Sequence, residues 1–311
     1  MSEHIFPGEP PPRPEPSSAS RERQRPEFSR FEVYDGRPDG AIPLPGAFLV
    51  LGSMIGVGLA LGFVAGFVGR WFYLMLVYPG AVGAGIGAAG MWAIRVGKVR
   101  NPLFAVAASV LAGALAMLMI QYAYYLHFMD RVRLEQPALA PLLDQGAVSL
   151  IDFIKLRAKE GISIGRPGQG KGTNLGEIGT YIYWAVELAI IIGLAWLLTI
   201  DEAGQPFCRR CNSWKPMQVL GVLAFSKEEA ADILRGGDLT RLASPNPATI
   251  ADAQISAAIC RQCGTEGLLN IRLDWLSVNK KGEVSAKKIM QCIYPGHALP
   301  VLEDAIYPRD S

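Results

Sequence analysis

Four of the five cysteines in the chain stand in two couples, Cys208-Arg-Arg-Cys211 and Cys260-Arg-Gln-Cys263. A Cys-x2-Cys turn brings two thiolates and neighbouring backbone N–H groups to one point, and two such turns supply the four thiolates that close a tetrahedral shell around one zinc ion. In a reducing compartment, couples of this spacing read as metal ligands rather than disulfides. A full thiolate shell leaves no position for water, so the expected role of the Zn2+ is structural rather than catalytic. A redox dithiol would need a βαβ setting, which is lacking here, and an iron–sulfur or other metal site is the remaining alternative. Cys292 reads as a strand residue, and would replace a ligand only if the insert between the couples distorted one turn. No Ser-His-Asp arrangement or carboxylate pair stands out, and the three histidines, His4 among them in a proline-rich tail, offer little acid–base chemistry at neutral pH. No catalytic residue is assigned.

A second set of chemistry-bearing residues lies in apolar surroundings. Stretches 47–68 and 72–94 hold no charged residue, 103–128 has only Gln121 and His127 as strongly polar members, and 178–200 has only Glu187 as a charged one. Each is long enough for the roughly 20 residues that cross a hydrocarbon core of about 30 Å. Backbone polar groups must satisfy one another there, so α-helices are expected. At 1.5 Å per residue Glu187 lies about 13 Å into the fourth span, and Gln121, entering from the same side on the third, reaches a similar depth. His127 is nearer the surface. A carboxyl at that depth costs at least a few kcal/mol unless paired, protonated or wet. The expectation is an interhelical Glu187–Gln121 hydrogen bond, with Tyr122, Tyr125, His127 and Tyr183 as neighbours. Helix glue, a proton or cation path, and a carboxylate reaching for the interface are the three roles open to it.

These residues need a frame. Arg70 and Trp71 fall in a very short first turn, and Pro79 is expected to kink the second span. Small residues recur every four positions (Gly52 and Gly56; Gly58, Gly62 and Gly66; Gly83 and Gly87; Ala81, Gly85 and Ala89), a glycine-zipper stripe that would pack spans one and two as a tight hairpin or serve a homo-oligomeric interface. Arg95, Lys98 and Arg100 between spans two and three, Arg209, Arg210 and Lys215 after span four, and Arg30 and Arg37 before span one share one side. Short loops weigh most in the positive-inside rule and thiolate ligands favour the cytosol, so both termini are expected to be cytoplasmic, in a multi-pass protein of a cell's inner membrane.

Outside the spans, 1–46 is rich in proline and charge and reads as a disordered tail, either a solvated spacer or, around Pro10–Pro16, a polyproline docking segment. Its apolar core arrives too late for a signal peptide. The loop 129–177 holds an amphipathic helix, expected over 141–160 and suited to the lipid interface. Within 165–173 the glycines and Lys171 approach a phosphate-binding loop, but Gly172 stands where a magnesium-binding Ser or Thr is needed; cations facing lipid headgroups are the better reading. The net charge of +2 argues against a nucleic-acid partner.

The C-terminal domain, 204–311, begins with the first cysteine couple. Strands are expected over 219–225, over 269–275, where Leu269, Ile271, Leu273 and Trp275 alternate with Asn270, Arg272 and Asp274, and over 283–293 after an Asn279–Gly282 turn. A capping box at Ser226 and Glu229 opens a helix over 227–235, and Gly236 and Gly237 stop it. Together with the Cys-x2-Cys-x2-Trp run ending at Trp214, the four cysteines resemble the zinc-ribbon class over 207–293. That resemblance implies paired knuckles beside a three-stranded sheet and a structural zinc, and the long insert between the couples departs from it. The fold class expected is therefore an α-helical membrane protein of four transmembrane helices with a small, mixed, mostly β zinc-ribbon-like C-terminal domain. The expected function is that of an adaptor, scaffold or sensor binding a protein partner through that domain; the alternative is a small transporter or channel component using Glu187 and Gln121.

Overall fold

A computed structural model describes residues 31, 33–35, 39–68, 77–139, 141, 148–164, 173–243, 252–279 and 281–307. The tail through residue 30, the Arg70–Trp71 turn, the start of the second span, Leu142 and Leu143 of the loop helix and the 165–172 glycine loop lie outside the described residues. The chain divides into two compact units, one comprising Arg37–Met217 with Cys260–Gln262, the other comprising Met1–Gly36, Gln218–Ile259 and Cys263–Ser311.

The first unit is built on four helices long and apolar enough to cross a membrane: α1 (Leu44–Val68), α2 (Val77–Gly97), α3 (Pro102–Glu135) and α5 (Gly176–Ala203). Asn101 starts α3 by accepting the Phe104 N–H at 3.0 Å, with Pro102 in the first turn, where a missing N–H costs nothing. Pro79 is the third described residue of α2, and the part of the second span before Val77 lies outside the described residues.

The glycine stripes seat more helices than the expected hairpin requires. A Cβ on Gly62 would lie 2.5 Å from the Ala116 carbonyl oxygen, and one on Gly66 would lie 2.8 Å from that of Ile120, so the α1 stripe seats α3. A Cβ on Gly83 would lie 2.6 Å from the Ile191 carbonyl oxygen, and one on Gly87 3.2 Å from Ala195 Cα, so the α2 stripe seats α5. A helix with one flat face brings one backbone close. Helices α1 and α2 also meet each other, since a Cβ on Gly46 would collide with the Gly97 carbonyl oxygen and one on Gly85 with Leu61 Cδ1, while Gly52 and Gly56 have nothing within 4 Å. Helices α3 and α5 are further joined by Ser109 and Thr199, whose hydroxyls lie 3.1 Å apart, one donating to the other while the acceptor donates to the carbonyl four residues back. At the other end of α2, Arg95 donates Nε and Nη2 to the two carboxylate oxygens of buried Glu202 on α5, at 2.5 and 3.1 Å.

A shorter helix, α4 (Leu150–Glu160), begins well after the expected Pro141. Ser149 and Asp152 form its reciprocal capping box, and the Ser149 hydroxyl and N–H together hold the Asp152 carboxyl below its usual range. A hairpin of β2 (Ser163–Ile164) and β3 (Thr173–Asn174) leads into α5.

The second unit holds a five-stranded sheet in the order β1-β9-β8-β7-β6, with β1 Tyr34–Asp35, β6 Met217–Leu223, β7 Ala253–Ala258, β8 Leu268–Val278 and β9 Val284–Pro295. Two of its strands were not anticipated. β7 lies in the insert between the cysteine couples, and β1 lies within 1–46, expected as tail; Tyr34 pairs with Ile293, and Phe31 is buried beside Tyr294. The helix α6 (Lys227–Gly236) is capped by Ser226, which accepts the Glu229 N–H, and ends at Gly237 in the left-handed region, φ 76°. A final helix, α7 (Leu299–Ile306), adds Leu302 to a core built from Phe225, Ile233, Leu234, Ile255, Leu269 and Tyr294.

Strand β8 departs from its period of two. Leu269, Ile271 and Leu273 are buried as expected, but so are Asn270 and Asp274. The β8–β9 register shifts between Leu273 and Asp274, and a bulge of this kind re-aims the residues that follow it. Asp274 there accepts the Arg272 Nε–H at 2.8 Å. With five strands, the sheet exceeds the three that a minimal ribbon implies.

Candidate functional site

The first cysteine turn is carried by its own two-stranded hairpin, β4 (Phe207–Cys208) and β5 (Ser213–Trp214). The chain reverses through Asn212 at φ 52°, a conformation that asparagine tolerates better than most residues. Phe207 and Trp214 pair across the hairpin edge-to-face, with ring centroids 5.1 Å apart. Arg100 lies over the outer Phe207 ring at 4.3 Å and reaches Asp39 at 3.0 Å, while Arg209 meets the same carboxylate at 2.8 Å. The Trp214 indole donates to the Arg95 carbonyl at 3.0 Å, so the hairpin is fixed to the end of α2. These contacts give the knuckle rigidity that two-residue strands alone lack.

The second couple follows β7. Gly264, directly after Cys263, takes φ 54°, the left-handed turn expected of it, and opens a short 3-10 turn whose Glu266 N–H returns to the Cys263 carbonyl at 3.2 Å. Sulfur atoms of Cys208, Cys211, Cys260 and Cys263 all lie within 4.8 Å of one another. Tetrahedral zinc with Zn–S bonds of about 2.3 Å needs sulfurs about 3.8 Å apart, so the set is near the size of one metal shell. Cys208 and Cys260 are buried and the other two half-buried, and the Ser213 hydroxyl sits 3.7 Å from Cys260 Sγ, where it can orient a thiolate. Four cysteines are thus positioned to hold a metal ion. Cys292 is a buried β9 residue in the register opposite Ile271.

The intramembrane candidates meet at a different place in the helical unit. Gln121 on α3 and Glu187 on α5 are both buried and both line a cavity of about 260 Å3. Each hydrogen bonds to another residue: Gln121 Oε1 accepts Arg157 Nη1–H at 2.8 Å, and Glu187 Oε1 accepts the Tyr183 hydroxyl at 2.8 Å. Tyr183 is the neighbour anticipated from one turn earlier on α5. Half-buried His127 and exposed Tyr122 do not line the cavity; Tyr125 instead donates to the Val148 carbonyl at 2.9 Å and stacks on Phe153, tying α4 to α3.

Arg157 is the functional candidate that sequence reasoning missed. Its charge did not single it out from the others of the loop helix, yet its guanidinium lies 3.8 Å over the Tyr124 ring and 5.9 Å from the Trp184 ring. The signal was present in the spacing. Leu150, Phe153, Ile154, Arg157 and Ala158 occupy the i, i+3, i+4, i+7, i+8 stripe of α4, which places the arginine on the packed face.

Comparisons with family models, with curated proteins and with solved structures return no match for this chain.

Proposed function

We propose that this chain is a multi-pass membrane protein whose Cys208, Cys211, Cys260 and Cys263 hold one structural Zn2+ in a zinc-ribbon-like module, and that the module is an adaptor, scaffold or sensor docking a protein partner on the cytoplasmic side of an inner membrane. The observation that carries this reading is the gathering of four cysteine sulfurs within 4.8 Å of one another. Zinc bound there would cross-link two turns far apart in sequence and supply folding free energy; four thiolates leave it no open position for substrate. The protein's own residues do the rest. Phe207 and Trp214 cover the first turn, Gly264 lets the second turn close, and the Arg95–Trp214 bond holds the hairpin against α2. The four apolar helices support the membrane placement, and the arginines and lysine at 95, 98, 100, 209 and 210 support the cytoplasmic assignment of the cysteine-bearing end.

Metal analysis of the purified full chain tests this reading. About one zinc per chain is expected, lost in Cys260→Ser; a well-folded chain without metal overturns it. Crosslinking with mass spectrometry tests the adaptor role, through a partner captured by the native chain and lost in Cys260→Ser. The alternative, a small transporter or channel component, draws on the cavity that Gln121 and Glu187 share. Glu187→Gln would abolish flux through such a path and leave an adaptor's partner in place.

A further inference from the structure

We propose that the outer end of the β8–β9 hairpin is an amphipathic ribbon that lies on the anionic lipid surface of the bilayer entered by the chain's own apolar helices, an inference that rests on the membrane reading above. The β7 register ends at Trp275, with the Leu276 N–H donating to the Asp252 carbonyl at 2.8 Å. The β8–β9 register runs on to Val278 and Val284. Among the described residues, the hairpin beyond Leu276 is therefore a two-stranded ribbon that projects past the sheet.

Residues opposite each other in an antiparallel ladder share a face, and the two faces of this ribbon differ. One carries Val278 opposite Val284 and Leu276 opposite Ala286. The other carries Ser277 opposite Ser285, whose hydroxyls lie 2.8 Å apart. Val278 and Val284 are 67% and 65% exposed, whereas Leu269, Ile271 and Leu273 further back on β8 are buried. The turn holds its own shape: Asn279 Oδ1 accepts the N–H groups of Lys281 at 2.8 Å and Glu283 at 3.0 Å. A rigid hairpin with one apolar and one hydroxyl-bearing face fits a boundary between lipid and water better than bulk water.

Charge selects the occupant. Lys281 in the turn and Lys287 and Lys288 at the base are all exposed, and the acid among residues 281–288 is Glu283, which accepts Asn279 Nδ2–H at 2.7 Å. Val284 and Lys288 are four residues apart, about 13 Å along the strand, so cations stand at both ends of the valine face. Lysine stems can lie along that face while their ammonium groups reach lipid phosphates. A short apolar face or a few lysines alone bind a membrane weakly, and the two signals together hold. A nucleic acid would use the lysines and leave the valine pair in water, and an apolar peptide would do the reverse; anionic lipid uses both. Covalent linkage to membrane-spanning helices would raise the effective concentration of that lipid further.

The test is amide hydrogen exchange of the full chain in nanodiscs of phosphatidylcholine alone and of phosphatidylcholine mixed with phosphatidylglycerol. A two-stranded ribbon is weakly protected in water, so lipid contact registers clearly. Peptides covering 276–288 should exchange about ten-fold more slowly in the anionic discs, and high salt should abolish the difference. Lys281→Glu with Lys287→Glu should remove it, and so should Val278→Ser with Val284→Ser. All four positions are exposed, and unchanged protection of residues 269–273 reports an intact sheet. If a variant loses that protection, the salt response of the native chain decides. Equal exchange in the two discs, or a difference that survives both double substitutions, overturns the proposal. Poly-glutamate or a short RNA, added to phosphatidylcholine discs, should protect the segment less than anionic lipid does; equal protection overturns the proposal in favour of a polyanionic macromolecule. A chain that enters neither disc overturns the membrane reading as well, whereas a chain that enters both with equal exchange overturns this inference alone.

Discussion

The cysteine cluster and the Arg157–Glu187 cavity are both built from four or more side chains converging on one small volume, yet they are encoded in opposite ways. The cluster comes from two local turns, each of which brings its ligands together within four residues, so only one long-range closure, between 211 and 260, is left to the fold. The cavity takes Gln121 from α3, Arg157 from α4 and Glu187 from α5, and has no local motif at all. Thiolates that share a metal are worth far more together than apart, whereas the cavity is held by hydrogen bonds and ring contacts that add up singly. The first region should therefore fail as a unit and the second by increments.

The largest expected effect tests that contrast directly. Removing metal with a chelator, or introducing Cys260→Ser, should abolish zinc binding and remove on the order of 10 kcal/mol of metal-linked folding free energy, read as loss of a cooperative unfolding transition of the chain. Retention of a sharp transition without metal would break the comparison. Next is a close backbone approach in the helical unit: Gly62→Leu should destabilise it by about 2–3 kcal/mol, because its Cβ alone would stand 2.5 Å from the Ala116 carbonyl oxygen. Gly56→Ala, with nothing within 4 Å, should be neutral or stabilising by up to about 1 kcal/mol, and thermal melts of the pair measure the difference.

Smaller again is Gln121→Ala, which deprives Arg157 of its amide partner; a loss of about 1–3 kcal/mol with the cysteine cluster's metal content unchanged would sharpen the separation of the two regions. The smallest effects are at the caps. Ser226→Ala and Ser149→Ala should each cost about 1 kcal/mol, one in each unit. Because Ser149 depresses the Asp152 carboxyl, the contribution of that cap is present above the ordinary carboxyl range and fades as pH falls through the lowered value. An NMR titration should place Asp152 below about 3.9, and Ser149→Ala should move it upward.

What could be read from the sequence follows the same division. The four apolar helices, the α6 cap at Ser226, the positive φ of Gly264 and the gathering of the four cysteines are consequences of short-range pattern. Failures occurred where partners lie far apart. The α1 and α2 glycines were matched to each other because they are neighbours in sequence; Gly46 and Gly85 do face that neighbour, but flatness does not name a partner, and Gly62 and Gly66 seat α3 while Gly83 and Gly87 seat α5. Arg157 was hidden by its charge, although its position in the α4 stripe was readable. Asp274 was misplaced because the register shift beside it is invisible to a count of two, and β1 because a two-residue strand carries no periodicity.

That short strand has a consequence for topology. Tyr34 and Asp35 pair with Ile293 and Cys292, and the four long apolar helices among the described residues lie between those two ends. A polypeptide closed on itself by a β-ladder has to return to the side from which it started. Insertion of the four apolar helices would therefore have to give an even number of crossings between residues 35 and 292, a parity rule that owes nothing to the count of lysines and arginines. A fusion that strands residues 31–35 on the opposite face from the C-terminal sheet would leave β9 with a bare edge, open to pairing with another chain.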